Sequence, residues 1–151
     1  MEFNNSIQVM QLIVNELAGS SFVHKMQGQL LKSQGFNKLG EKYMNHYTEE
    51  MEWVEKFTDR LIDLGCIPQV KLAKETTLIN DAVDYINADM KLQCEGVESL
   101  YKIMPTLTSD PTTYDLMKAY LADEEEDLYW DEEQVELINL IGKQNWLMKQ
   151  M

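Results

Sequence analysis

The sequence predicts an all-α four-helix bundle with a short fifth helix at its end. Glycine and proline are scarce, with seven and three among 151 residues, and they separate a few long segments. Within those segments apolar residues recur at steps of three and four, which is the spacing of one helix face. A hydrophobic fraction of 44% is enough for one packed core in a chain of this length. We therefore expect one domain over residues 1–151.

The first two helices are expected over about residues 5–33 and 36–64. Gly65 can end the second helix in the left-handed conformation that glycine tolerates. Each helix has an inward stripe that is apolar except near its centre, where the first carries Glu16 and the second Glu50. The expected stripes are Val9, Ile13, Glu16, Ser20, Val23, Gln27 and Leu30, and then Tyr43, His46 or Tyr47, Glu50, Val54, Phe57, Leu61 and Leu64.

The third and fourth helices are expected over about residues 78–104 and 112–141. The connection at residues 66–77, if extended, is long enough to cross the bundle lengthwise. Gly142 interrupts the fourth helix, and the amphipathic stretch after it predicts a fifth helix over about residues 143–150. The expected stripes are Ile79, Val83, Ile86, Met90, Gln93, Val97, Leu100 and Met104, and then Met117, Tyr120 or Leu121, Glu124, Asp127 or Leu128, Asp131, Val135 and Ile138.

The composition argues against two classes of partner. There are 26 acidic and 13 basic residues, so a net charge near −13 repels nucleic acid and anionic membrane surfaces. No stretch approaches the roughly 20 apolar residues of a membrane span, and the N-terminal residues lack the pattern of a secretory signal. The two cysteines, Cys66 and Cys94, have no metal-binding spacing, so we expect free thiols and a cytoplasmic location.

Three glutamates interrupt the apolar stripes of three different helices, namely Glu16, Glu50 and Glu124. Asp127 follows Glu124 on the same face, and Gln93 is the polar residue near the centre of the third helix. Burying an unpaired carboxylate costs on the order of several kcal/mol, comparable with the whole stability of a small domain. A cation between the carboxylates would remove that cost, so the pattern favours a metal site in the bundle core. The alternative is that each glutamate reaches solvent or pairs with a lysine.

Four stretches of the sequence resemble the bacterioferritins: NEL at 15–17, EEMEWVEKFTDRLIDLGCIPQV at 49–70, INADMKLQCEG at 86–96 and ADEEEDLYWDEEQVELINLIGKQNWL at 122–147. The resemblance implies a ferritin-like bundle with a long crossover between the second and third helices, in a cage of twenty-four subunits built from dimers. It also implies oxidation of ferrous iron at a buried two-iron ferroxidase centre, followed by storage of the iron as a ferric mineral. Implied partners are further copies of the chain, a second bacterioferritin subunit and a ferredoxin.

The resemblance assigns roles to three glutamates. Glu16 matches a terminal iron ligand of the family, and Glu50 and Glu124 match its two bridging carboxylates. These three are the expected catalytic residues. Together with Gln93 and Asp127 they are also the expected iron ligands.

Other positions depart from the family's pattern. Trp53 stands at the first histidine ligand, Gln93 at the second terminal glutamate and Asp127 at the second histidine. Indole has no lone pair for a metal, and an amide is a weak neutral ligand. Val23 and Phe57 also replace tyrosines beside the site. We therefore expect altered or impaired ferroxidase activity, with one iron ion favoured over two and no fixed metal as the alternative.

Met51 matches the methionine with which two bacterioferritin subunits hold one haem of b type across a dimer axis. The alternative for Met51 is interface packing, since methionine fills irregular gaps. His24 and His46 could be metal ligands, but neither falls on a ligand position of the family. We therefore interpret both as partly buried, hydrogen-bonded histidines.

The resemblance leaves three other functions open. The chain could be a non-catalytic haem-carrying or structural subunit of a mixed cage, which Trp53 and Gln93 favour. It could belong to the smaller spherical relatives that act in stress protection, although a fifth helix is typical of the larger cages. It could also be a carboxylate-bundle oxidase of an organic substrate, for which no residue argues.

Overall fold

The computed structural model describes residues 3–71 and 74–151, which form five α-helices. Over these ranges there is no strand, and no helix is both long and apolar enough to cross a bilayer. The predicted all-α bundle of four long helices and a short fifth one is confirmed. The helices are α1 (Asn4–Ser33), α2 (Asn37–Asp63), α3 (Ala82–Ile103), α4 (Pro111–Ile141) and α5 (Lys143–Lys149), and a 3-10 turn at Met104–Leu107 extends α3.

The helix bounds lie within one residue of those expected, except at the start of α3. This helix begins at Ala82 because the Asp81 carboxylate accepts hydrogen bonds from the backbone amides of Val83 and Asp84, which is an N-cap. Asp81 also pairs with Lys143 at 2.5 Å, and this contact ties the start of α5 to the start of α3. Capping therefore decides where α3 begins, although apolar spacing continues upstream of it.

The long connection between α2 and α3 runs beside α1. The amide of Gln11 exchanges two hydrogen bonds of 2.7 Å with the backbone of Gln69, and the amide of Gln27 binds the backbone of Ile79 in the same way. Gln11 and Gln27 are more than four turns apart on α1, so the connection travels along the bundle as its length predicts. Residues 72 and 73 of the predicted connection lie outside the described ranges, as do residues 1 and 2 of the expected domain.

Gly28 of α1 and Gly40 of α2 bring these two helices into backbone contact. A Cβ atom at Gly28 would lie 2.7 Å from the Gly40 carbonyl oxygen, and one at Gly40 would lie 2.6 Å from the Gly28 carbonyl oxygen. Neither position accepts a side chain unless the helices separate. The close approach brings His24 and Tyr43 together, with ring centroids 5.7 Å apart.

The core consists of two apolar clusters with a polar region between them. One cluster occupies the end of the bundle where α1 begins and α2 ends, and the other occupies the opposite end, where Trp146 of α5 is fully buried. The first contains Met10, Ile13, Val14, Leu17, Phe57, Leu61, Val97, Leu100, Met104, Leu107, Met117, Tyr120, Leu121 and Leu128; the second contains Leu31, Leu39, Tyr43, Ala82, Tyr85, Ile86 and Trp146. The candidate site lies where these clusters meet.

Candidate metal centre

Glu16 is exposed on α1, so the expectation that it points into the core is wrong. The buried stripe runs instead through Met10, Val14, Leu17 and Leu31. Leu17 is the next residue after Glu16 and points about 100° away around the helix. Rotating α1 in this way buries larger apolar side chains and leaves the carboxylate in water, which lowers the free energy. A role for Glu16 as an iron ligand stays a prediction.

Gln93 and Glu124, which the sequence predicts to lie together, do so. The Gln93 side-chain amide donates to the Glu124 carboxylate at 2.6 Å and to the Glu124 backbone carbonyl at 3.0 Å. Burial raises the pKa of Glu124 to about 7; the Gln93 hydrogen bond opposes that rise, and the nearby charge of Glu50 adds to it. A neutral amide donor and partial protonation of Glu124 near neutral pH therefore reduce the buried charge at this place.

Trp53 closes the place where the family has a histidine ligand. Its indole N–H donates to the Asp123 carboxylate at 2.9 Å, so the ring edge already has a polar partner. The same ring lies 6.0 Å from Phe57 and 5.4 Å from Tyr120, centroid to centroid. We call Trp53, Phe57, Tyr120, Gln93 and Glu124 the tryptophan layer. An aromatic wall bounds this layer on one side, and of the expected ligands the layer brings together Gln93 and Glu124 but not the exposed Glu16.

A second polar group lies one helical turn away, and all four long helices contribute to it. His24 of α1 contacts Glu50 of α2, with Nδ1 2.5 Å from Oε1, and its Nε2 lies 3.4 Å from the Asp89 carboxylate of α3. His46 of α2 is buried beside them, with its ring centroid 5.8 Å from that of His24. Asp131 of α4 interacts with Asp89 and is also buried. We call these five residues the histidine layer.

The His24, His46 and Glu50 side chains are close enough to share one ion. Each offers one ligand atom, and these atoms all lie within 4.8 Å of one another. The second carboxylate oxygen of Glu50 is buried and makes no hydrogen bond within residues 3–71 and 74–151. Glu50 is the one predicted ligand that belongs to this group, and it stands between the two layers.

The charges of the histidine layer are strongly coupled. Burial alone would lower the pKa of His24, but hydrogen bonds to Asp89 and Glu50 raise it to about 10. Burial and repulsion by His24 lower the pKa of His46 to about 4. Burial and the charge of Asp89 raise the pKa of Asp131 to about 9. In the metal-free protein a charged His24 thus lies between two carboxylates, and His46 and Asp131 are neutral.

Tyrosines hold the acidic side of the histidine layer in place. The Tyr43 hydroxyl donates to the Asp89 carboxylate at 2.8 Å, and the Tyr43 ring packs edge-on against Tyr85 at 4.8 Å. Asp89 is therefore bound from two directions, by Tyr43 and by His24. Its position is fixed without any metal, which leaves the adjacent ligand atoms preorganised.

The sequence predicts only part of this layer. It places Glu50, His46 or Tyr47, and Asp131 on inward stripes, but it does not place Asp89 in the core. It assigns no metal-binding role to His24 or His46, because neither matches a ligand of the family. The spacing of these residues does indicate that they share an inward face. His24 lies one full heptad after the buried Leu17, and His46 and Glu50 are one turn apart. Asp131 does lie in the stripe expected for α4 and is buried.

A cavity of about 620 Å³ opens beside the two layers. It is lined by His46 and Asp127, and by the surface carboxylates of Glu41, Glu49 and Glu126. His46 Nε2 lies 3.8 Å from the Asp127 carboxylate, which is beyond hydrogen-bond length. Burial and the charge of Glu124 raise the pKa of Asp127 to about 8. The cavity gives solvent a path to His46.

Met51, the expected haem ligand, lies on the outer side of α2. Its side chain is 36% exposed, and its sulfur accepts a hydrogen bond from the Ser21 hydroxyl at 3.3 Å. Three exposed apolar residues, Leu12, Phe22 and Met26, lie on one face of the neighbouring α1. This surface has the character of a subunit contact, and haem binding at Met51 stays a prediction.

Comparison with known proteins identifies the family. The ferritin-like domain matches residues 8–141. A bacterial ferritin of Neisseria meningitidis serogroup B is 34% identical over 146 residues, covering 93% of this chain and 92% of that protein. A bacterial ferritin of Pseudomonas aeruginosa is 30% identical over 148 residues, with the same two coverages, and a bacterioferritin of Streptomyces coelicolor is 24% identical over 124 residues, covering 81% and 74%. The chain therefore belongs to the ferritin-like family.

Proposed function

We propose that this chain is a subunit of an iron-storage cage, similar to bacterioferritin, in which the usual ferroxidase centre is impaired. Family membership and near full-length similarity to bacterial ferritins support the cage and its iron cargo. The single observation that carries the impairment is Trp53, whose indole fills a ligand position and is already hydrogen-bonded to Asp123. The exposure of Glu16 supports the same proposal.

The remaining oxygen donors are poorly suited to a pair of irons. Glu124 and Asp127 have raised pKa values, of about 7 and 8, so a metal at this place must displace protons near neutral pH. The Gln93 amide points its N–H group, which cannot coordinate, at Glu124. One weakly held iron ion is the most that Glu50, Glu124 and Asp127 support.

A cage built from this chain then needs another place for iron oxidation. The carboxylates that line the cavity, including Glu49 and Glu126, are candidates, because oxygen donors bind hard cations. A second subunit type with a complete centre is the other candidate. In that case this chain acts as a non-catalytic, structural or haem-carrying subunit of a mixed cage, with a ferredoxin as a further partner.

The direct test is anaerobic titration of ferrous iron into the metal-free protein, followed by an oxygen pulse while absorbance is recorded. We expect no fast oxidation phase and only slow oxidation. The matched variant, Trp53→His with Gln93→Glu and Asp127→His, restores the residues of the family. It should oxidise iron faster by at least about tenfold, the smaller of the effects that changes around a metal site produce. A fast phase in the unmodified chain, or an unchanged rate in a folded, assembled variant, would contradict the proposal.

Haem binding and assembly are tested separately. We expect the purified protein to elute as a particle of about twenty-four subunits and to show a Soret band when supplied with haem. Met51→Leu should abolish the band without changing the elution volume, because leucine keeps the volume and removes the thioether. A band that survives this substitution would exclude Met51 as the ligand.

A further inference from the structure

The histidine layer contains a set of donors that borderline divalent metals prefer. Two imidazoles and one carboxylate, from His24, His46 and Glu50, are the ligand types of many zinc and ferrous sites. The tryptophan layer offers only oxygen donors and an indole. The two neighbouring layers therefore differ in which metal chemistry they favour.

The spacing of the three donors is close to that of a coordinated set. Ligands about 2.0–2.1 Å from a tetrahedral ion lie roughly 3.3 Å from one another. The three donor atoms are within 4.8 Å, so each pair must close by about 1.5 Å or less. His24 Nδ1 and Glu50 Oε1, now 2.5 Å apart around a shared proton, would instead open slightly to admit the ion.

Two features fit a bound ion. The second oxygen of Glu50 is buried, in a side chain that is only 9% exposed, and it has no hydrogen-bond partner among the described residues. A buried carboxylate oxygen without a partner is costly, and a cation removes that cost. The Nε2 of His24 also faces the Asp89 carboxylate at 3.4 Å, while Nδ1 faces Glu50. Histidines that bind metals usually orient their other ring nitrogen toward a carboxylate in this way.

We propose that His24, His46 and Glu50 bind one divalent first-row transition-metal ion in the bundle core, at a site that shares only Glu50 with the position of the family's ferroxidase centre. Asp89 orients His24 but does not bind the ion, and Tyr43 in turn orients Asp89. The ion enters through the cavity, which is lined by His46 and has surface carboxylates to attract cations. On binding it replaces the proton between His24 and Glu50.

The site differs from an iron-oxidising centre in what it can do. Three protein ligands on packed helices hold one ion and link α1 to α2. The Glu124 carboxylate of the tryptophan layer is hydrogen-bonded to Gln93 and is not part of this donor set. The proposed role is stabilisation of the bundle by a resident metal, separate from the stored iron. It does not depend on the proposed iron-storage function.

The test uses cobalt(II) as the probe, because its visible absorption is strong in four-coordinate sites with nitrogen donors and weak in water. Metal-free protein should take up one Co²⁺ per chain with a visible band, and zinc should abolish that band by displacement. His46→Gln should weaken Co²⁺ binding by more than about 100-fold, since it removes a ligand rather than an outer partner. Because His46 makes no hydrogen bond within 3.5 Å to any residue that the structure describes, this variant should fold and assemble like the parent.

A matched control separates the loss of a ligand from a general loss of negative charge. Glu55→Gln changes an exposed carboxylate of α2 and should leave the cobalt band and its affinity unchanged. If no cobalt band appears, or if Glu55→Gln weakens binding as much as His46→Gln, the proposal is wrong. Cobalt binding requires neither oxygen nor mineral, so a failure of iron storage would leave this result unaffected, and the reverse also holds.

Discussion

The tryptophan layer and the histidine layer are adjacent slices of the same bundle, yet they satisfy their buried polar groups differently. In the first, Glu124 receives a hydrogen bond from the neutral Gln93 amide, and aromatic rings fill the remaining space. In the second, His24 lies between the carboxylates of Glu50 and Asp89. The difference shows that a helical bundle can satisfy a buried carboxylate with an amide and aromatic packing in one layer and with an imidazole in the next.

The largest expected effect on stability comes from a substitution that disrupts the packing of the tryptophan layer. Phe57 is fully buried and lies against Trp53 and Tyr120. Phe57→Ala should lower the free energy of unfolding by about 3–5 kcal/mol, because it removes a buried ring and leaves a cavity. Urea unfolding measures this loss. Leu92→Ala, at a position that is 67% exposed, is the control and should change stability little. Similar losses for both variants would mean that the layer is not held by packing.

In the histidine layer, the free energy of unfolding should depend on the charge of a side chain rather than on its volume. His24→Leu leaves the buried Glu50 and Asp89 carboxylates facing each other without the imidazole between them. Metal-free protein carrying this substitution should lose about 3 kcal/mol of unfolding free energy at neutral pH. The comparison variant, His46→Leu, should lose less, because the nearest carboxylate to His46 is 3.8 Å away. Equal losses would show that the two histidines act only by filling space.

The sequence predicts this contrast well in some helices and poorly in others. In α2 the expected stripe is right, since Tyr43, His46, Glu50, Phe57 and Leu61 are all buried. Polar and large apolar residues of α2 are cleanly separated around the helix, so its inward face is unambiguous. The sequence also predicts the Gln93–Glu124 contact, because both residues lie near the centres of their stripes.

The errors occur where neighbouring positions compete for the same face. In α1 both Glu16 and Leu17 fit a stripe, and burial of the apolar side chain with the carboxylate left in water decides in favour of Leu17. In α3 Asp89 lies beside Met90, and the apolar residue was assigned to the core although Asp89 is the more buried of the two. Tyr43 and His24 supply the partners that make a buried Asp89 tolerable, and these contacts join distant parts of the chain.

An ordinary ion pair at the apolar end of the bundle provides a reference for the histidine layer. Arg60 donates to the Asp110 carboxylate at 2.8 Å, and Asp110 caps α4 through Thr113. Burial would raise the pKa of Asp110, but hydrogen bonds, including those from Thr113 and Arg60, lower it. A lowered pKa stabilises the fold above the unfolded value of 3.8, and the gain is lost as the pH falls through the folded pKa.

Asp110→Asn should therefore destabilise the protein by about 2 kcal/mol at neutral pH, the scale of a hydrogen bond to a charged group. The difference from the parent should shrink as the pH falls below the unfolded pKa of 3.8 and through the lower folded pKa, because Asp110 then becomes protonated in both states. Urea unfolding at several pH values measures it. A difference that stays constant with pH would mean that the amide disturbs packing rather than charge.

The smallest expected effect concerns Glu16, which the family resemblance places among the iron ligands and which is exposed on α1. Glu16→Gln should change the free energy of unfolding by less than about 0.5 kcal/mol, as is usual for an exposed position. Glu50→Gln is the matched substitution at a buried glutamate; it removes a ligand of the histidine layer and the partner of His24. If iron or cobalt binding weakens equally in both variants, Glu16 must turn inward when metal binds, and the two layers would act as one centre. If only Glu50→Gln weakens binding, the single carboxylate shared by the layers determines where this bundle holds a metal.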